Sequence, residues 1–146
     1  MEISGTVSVI LHQKKASVWS IDPLATVYDA IAMMAEKGVG ALPVMKAGKL
    51  IGMVSERDYT RKVVLKGKSS KGTPVIEIMT DELVVARPGD SLAECMETMT
   101  ERRIRHLPVL EGEELIGIIS IGDLVKWIIS AQDATIDQLT KYVFGE

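Results

Sequence analysis

The sequence predicts an α+β fold of two β-α-β-β-α repeats followed by a C-terminal helix, and three observations carry that prediction. The first is repetition. With a constant offset of 65, residues 23–64 lie on residues 88–129 without a gap, and 11 of the 42 aligned pairs are identical; composition alone would match about 2 or 3. The identities include Leu42-Pro43-Val44 on Leu107-Pro108-Val109, Leu50-Ile51-Gly52 on Leu115-Ile116-Gly117, Ser55 on Ser120 and Asp58 on Asp123. The second is that short β-branched runs and amphipathic stretches follow one another in the same order in both copies. The third is a glycine-containing turn between two apolar runs in each copy, the pattern of a hairpin.

Taken in order, residues 6–15 predict a short helix that packs Val7, Ile10 and Leu11. Val18 to Ile21, stopped by Asp22-Pro23, predicts a strand. Thr26-Val-Tyr-Asp29 has the spacing of a capping box and opens a helix carrying Val27, Ala30, Ile31 and Met34, ended by Gly38. Ala41 to Met45 and Leu50 to Ser55 predict a hairpin turning through Lys46 to Lys49. A helix from Ser55 then presents Tyr59, Val63 and Val64 on one face and dissolves into the Gly-, Ser- and Lys-rich stretch 66–74.

The second copy repeats the order. Leu83 to Ala86 is its strand, Ser91-Leu-Ala-Glu94 its capping box, and Leu92, Cys95, Met96 and Met99 its helix face. Leu107 to Leu110 and Leu115 to Ser120 form its hairpin around Gly112, and a helix follows over about 121–129. Thr135-Ile-Asp-Gln138 predicts the cap of a separate tail helix, with Ile136, Leu139, Tyr142 and Val143 as an apolar stripe. The chain thus divides into a first repeat over 8–66, a linker over 67–74, a second repeat over 75–130 and a C-terminal helix over 131–146. Methionines at 33, 34, 45, 53, 79, 96 and 99 fall on apolar faces, where they fill a core or give adaptable contact to a ligand or partner.

Composition narrows the function classes. A chain of 146 residues, 25% charged and 47% hydrophobic, is an ordinary globular one. A repeat of about 60 residues is marginal alone, and two packed together share a sufficient core. The net charge of −3 lacks the basic footprint of a nucleic-acid binder. No apolar run is long enough to span a membrane, and the start has no signal-peptide pattern, so the expected location is cytoplasmic. A single cysteine, Cys95, excludes an intrachain disulfide and is expected as a buried core thiol, while two histidines, His12 and His106, offer no zinc cluster.

The recurring Ser-x-x-Asp motifs, Ser55 to Asp58 and Ser120 to Asp123, begin a helix in each copy. Two readings stand side by side. As caps, the serine and the acid satisfy the first amides of the helix without any ligand. As a binding corner, the helix start favours phosphate and the carboxylate accepts bonds from vicinal hydroxyls. Arg57 and the cluster Arg102, Arg103, Arg105 and His106 supply positive charge suited to phosphate, with a solvated basic face as the plain alternative. Where the second copy has Arg105 and His106, the first has Gly40 and Ala41, which let a flat base approach the backbone.

With the Leu-Pro-Val strand, the Leu-Ile-Gly hairpin strand ending in serine, Ser-x-x-Asp and the preceding Ile78-Met79-Thr80, the chain resembles the cystathionine β-synthase (CBS) domain over about residues 8 to 130, arranged as the tandem pair called a Bateman module. That resemblance implies two repeats packed through their sheets, leaving two clefts for adenosine-containing ligands of the AMP, ATP or NAD class, with S-adenosylmethionine also known in the family. It implies that Asp58 and Asp123 bond the ribose and that Arg105 and His106 reach phosphates. One cleft would use Asp123, Ser120, Ile118, Arg105 and His106 with Trp19, Val39 and Gly40 around the base. The other would use Asp58, Arg57, Ser55 and Met53 with Thr80, Val84 and Ile104.

It further implies a non-enzymatic regulator with no catalytic cofactor, forming a homodimer through helix faces for which Tyr59, Val63, Val125, Trp127 and the tail stripe are candidates, and acting on a separate regulated protein. A ligand-free interaction module is the alternative. A nucleotide-processing enzyme has no Gly-rich lysine loop, metal constellation or activated nucleophile behind it.

Overall fold

Hydroxyl side chains set the helix starts inside the repeats. Thr26 accepts from the Asp29 amide and Ser91 from the Glu94 amide, each at 3.1 Å, opening Val27–Lys37 and Leu92–Arg102. The computed structural model describes residues 3–15 and 17–144, without the side chains at 133–138, 142 and 144. Its elements are α1 (Val7–Lys14), α2 (Val27–Lys37), β1 (Ala41–Lys46), β2 (Lys49–Ser55), α3 (Glu56–Tyr59), α4 (Leu92–Arg102), β3 (His106–Glu111), β4 (Glu114–Ser120) and α5 (Ile121–Phe144). β1 and β2 pair antiparallel, with a bulge between Val44 and Met45, and β3 and β4 form the second two-stranded sheet.

Three expectations need correction. Val18 to Ile21 and Leu83 to Ala86 are not full strands: each shrinks to one parallel bridge, Ile21 with Val44 and Ala86 with Val109. The bridging residues donate to Pro43 and Pro108, and the next donors along the chain would be Pro23 and Pro88, which have no N–H. The helix after β2 is not regular either. α3 widens into a π turn over Thr60–Val64, closed by the Leu65 amide on the Thr60 carbonyl at 3.0 Å. Val63 is buried by it and Val64 left exposed, which splits the anticipated stripe. Finally, α5 runs on through Thr135, so no second cap opens a tail helix there. Residues 129–134 contain neither glycine nor proline to stop it. The side chains of Ile136 and Tyr142 lie outside the described residues.

The stretch between the repeats is bonded rather than loose. The carbonyls of Ser70 and Thr73 accept from Tyr28 and Val27 at 2.9 Å each, serving amides of the first turn of α2 that have no partner within the helix.

Two compact units emerge. The first-repeat unit is Ser17–Val85 with Leu110–Ile116. Its core joins Val27, Ala30 and Met34 of α2 to Leu42, Val44 and Val54 of the hairpin, closed by Val63, Val75 and Ile78. The second-repeat unit is Met1–Ala16, Ala86–Val109 and Gly117–Glu146. It buries Val7, Ile10, Leu92, Cys95, Met99, Leu107, Val109, Ile119 and Leu124.

α1 therefore belongs with the second repeat. Val7 and Ser8 donate to the Asp90 and Pro88 carbonyls at 3.0 and 2.9 Å, Leu92 donates to Gly5 at 3.0 Å, and the Trp127 indole donates to Ser4 at 2.7 Å. Two glycines of the hairpins permit close approach. A Cβ at Gly117 would stand 2.6 Å from Leu11 Cδ2, and one at Gly52 would stand 2.7 Å from Met79 Sδ and 3.0 Å from the Thr80 oxygen. Of the helix residues suggested for a dimer face, Val63 is core, Tyr59 packs on that core and Trp127 is tied to Ser4; Val125 stays exposed, as do Leu139 and Val143 of the tail.

Candidate functional site

Ser55 and Ser120 each end a hairpin strand and start a helix, so both must satisfy amides that the helix cannot. Ser55 Oγ accepts from the Asp58 amide at 3.2 Å, and Asp58 Oδ2 accepts from the Ser55 amide and hydroxyl at 3.0 Å each. Ser120 Oγ accepts from the Asp123 amide at 3.1 Å, and Asp123 Oδ2 accepts from the Ser120 amide at 2.8 Å. The capping reading is realised in both copies. What remains on each carboxylate decides what else it can do.

Each carboxylate also holds a lysine, and the lysines come from unrelated places. Lys62 reaches Asp58 Oδ1 at 3.1 Å and the Ile78 carbonyl at 2.8 Å. Lys14, the last residue of α1, reaches Asp123 Oδ2 at 3.0 Å and the Ile118 carbonyl at 2.9 Å. Both oxygens of Asp58 are thus engaged, whereas Oδ1 of Asp123 makes no hydrogen bond among the described residues. The aspartate side chains are 13% and 20% exposed, within reach of solvent yet held in one orientation. Lys62 lay one helical turn from Asp58, a spacing readable in the sequence. Nothing in the sequence pointed from Lys14 to Asp123.

The residues before β1 and β3 complete each corner. The Gly40 carbonyl accepts from the Glu56 amide at 3.1 Å, and the Arg105 carbonyl accepts from the Ile121 amide at 2.9 Å, so each stands at the start of its own unit's helix. His106, at the foot of β3, is held below its ordinary pKa by burial first, then by Lys14 and Arg105, with Asp123 opposing. At neutral pH the imidazole is therefore mostly uncharged, with two cations acting on it against one carboxylate.

The other anticipated residues sort by unit. Ile104, Arg105, His106, Ile118, Ser120 and Asp123 fall in the second-repeat unit. Trp19, Val39, Gly40, Met53, Ser55, Arg57, Asp58, Thr80 and Val84 fall in the first-repeat unit. Met53 and Thr80 are bridged, with amide-to-carbonyl bonds of 2.9 and 2.8 Å. Trp19 already has Lys37 Nζ 4.0 Å from its ring centroid. Among the described residues no group of three or more His, Cys, Asp or Glu could hold a metal, and no helix is long and apolar enough to cross a membrane.

A family model for the CBS domain matches residues 14–65 and again 75–130. The chain belongs to the CBS-domain family. It is 42% identical over 125 residues to a mitochondrial CBS domain-containing protein of Arabidopsis thaliana, covering 82% of this chain and 61% of that one. Among solved structures, a CBS-domain protein of Burkholderia ambifaria is 51% identical with a TM-score of 0.84, covering 88% of this chain and 96% of the other. Another CBS domain pair, solved in complex with 5′-methylthioadenosine and S-adenosyl-L-methionine, shares the fold at a TM-score of 0.74 and 20% identity, covering 88% of this chain and 98% of the other. The tandem repeat and the mixed α+β architecture are those of a CBS domain pair, a regulatory class of module.

Proposed function

We propose that this CBS pair is a non-enzymatic regulatory module that binds adenine nucleotides of the AMP, ATP or NAD class at the Asp58 and Asp123 corners. Occupancy would be passed to a partner protein as a change in shape or dimer geometry. The observation that carries the reading is the state of the two aspartates. Each is locked by its own serine at a helix start, partly exposed and flanked by cations, a prepared acceptor for a ribose diol with positive charge ready for phosphate. Asp123 is the readier of the two because its Oδ1 accepts no hydrogen bond among the described residues.

Signalling needs no more than a ligand that prefers one state, and the shift cannot exceed that preference. Homodimerisation would use the exposed apolar residues of α5, Val125 and Ile129 one turn apart, with Leu139 and Val143 one turn apart further along.

A ligand-free interaction module is the second reading, favoured by Asp58, whose two oxygens are satisfied without a ligand. The test is thermal unfolding of ligand-stripped protein with AMP, ATP, NAD and S-adenosylmethionine, for the native chain, Asp58→Asn and Asp123→Asn. Binding to the native state alone adds about 2.7 kcal/mol at a hundredfold excess over Kd. A rise with one adenine ligand that vanishes in one variant supports the sensor and assigns its corner. No rise with any of the four favours the ligand-free module.

A further inference from the structure

Resting on that reading, we infer that Lys14 is the specificity-determining residue of the Asp123 corner: it selects a ribose carrying a phosphate ester over an uncharged nucleoside or a cationic sulfonium. The ammonium is held in place by its helix. α1 is fixed through Val7, Ser8 and Leu11, the last seated on Gly117, and its final residue projects Nζ onto the Ile118 carbonyl and Asp123 Oδ2. A lysine so placed neutralises the carboxylate while the corner is empty and shields it from other cations.

A ribose diol needs an acceptor, and Oδ1 of Asp123 offers one without displacing any bond among the described residues. The ligand's phosphate, attached to the same sugar, then comes within the swing of the flexible lysine stem. Lys14 exchanges its contact with Oδ2 for a charge-assisted bond to phosphate. Its second contact, the Ile118 carbonyl, is neutral and persists through the exchange.

Selection follows from charge. Lys14 is paired with Asp123, and Lys14 and Arg105 both act as cations on His106 against the one opposing effect of Asp123, so a phosphate entering there meets an excess of positive charge. A phosphate completes the balance. An uncharged nucleoside leaves that positive charge unmatched, and a sulfonium adds to it.

The Asp58 corner provides the contrast. Lys62 already uses Oδ1, and the positions matching Arg105 and His106 are Gly40 and Ala41.

The experiment measures AMP, adenosine and S-adenosylmethionine binding by calorimetry to the full chain in an Asp58→Asn background, with Lys14 native, Lys14→Met or Lys14→Arg. With native Lys14 the order is AMP over adenosine and S-adenosylmethionine. Lys14→Met weakens AMP about tenfold or more and leaves adenosine unchanged or tighter, and Lys14→Arg restores most of the preference. An AMP-to-adenosine ratio unchanged by Lys14→Met, or S-adenosylmethionine binding tightest to the Lys14 protein, overturns the role of Lys14 while leaving the adenosine reading intact. Binding of none of the three to the folded Asp58→Asn protein overturns the Asp123 corner as a site and with it the role of Lys14, and binding of none to the native chain either overturns the adenosine reading as well.

Discussion

Lys14 Nζ and Asp123 Oδ2 stand 3.0 Å apart although 109 residues separate them in the chain. Their meeting depends on packing elsewhere, since Leu11 lies across β4 at Gly117, where a Cβ would stand 2.6 Å from its Cδ2. The first repeat uses the same device, with Met79 lying across Gly52. The glycine that recurs at the same place in both copies is thus what allows an entering segment onto each hairpin.

The two glycines differ in what a methyl group would strike. At Gly117 it meets the flexible end of Leu11, which can give way, so Gly117→Ala is expected to cost roughly 1 kcal/mol. At Gly52 it also meets the Thr80 backbone oxygen at 3.0 Å, inside a bridge that holds Met53, so Gly52→Ala is expected to cost about 2–3 kcal/mol. Urea unfolding of the two variants ranks them, and a larger loss at Gly117 would contradict the argument.

The duplicated halves also disagree about where to spend glycine. At the ends of α2 and α4 the left-handed residues are Gly38 (φ 66) and Arg103 (φ 54), while at matching places of the hairpin turns they are Ala47 (φ 50), followed by a left-handed Gly48 (φ 78), and Gly112 (φ 63). Alanine at a left-handed position carries about 1–2 kcal/mol of strain, and glycine gives back part of that in chain entropy. Ala47→Gly, which copies the second repeat's own solution, is expected to raise stability by about 0.5–1 kcal/mol. The mirror change Gly112→Ala should lower it by a similar amount in chemical denaturation.

These details show what the sequence could and could not reveal. Helix starts at Thr26, Ser55 and Ser91 were legible because a cap is a local event, three residues long. The hairpins were legible because apolar runs around a glycine turn leave little choice. The bridging runs at Val18 and Leu83 looked like strands by composition, and the prolines that cut them short act through a missing hydrogen bond two residues on. At the site, the serines and aspartates were readable from recurrence. Lys14 was not, because its approach depends on α1 joining the second repeat, and no periodicity encodes that.

Cys95 is buried on α4, and burial, with Asp90 and Glu94 adding to it, pushes its thiol up to about 11. The thiolate is the reacting species. At pH 8 the native protein is therefore expected to resist iodoacetamide, with labelling that tracks unfolding in urea. Rapid stoichiometric labelling at zero urea would show that α4 opens at little cost.

His106 provides a pH signature of the same corner. Its folded pKa lies below the ordinary value of 6.5, so the unfolded chain takes up this proton first as pH falls. Between the two values the unfolded state binds more protons, and stability must rise with pH there. The contribution is therefore fully present above about pH 6.5 and is lost as pH falls through that value toward the folded pKa. Lys14→Met removes a cation that disfavours the imidazolium, so it should raise the His106 pKa and lessen the loss. Asp123→Asn removes the opposing carboxylate and should lower the pKa further. NMR titration of the imidazole Cε1 proton, with His12→Gln to assign it, reads both shifts, and variants moving it in the same direction would contradict the arrangement of Lys14, His106 and Asp123 described above.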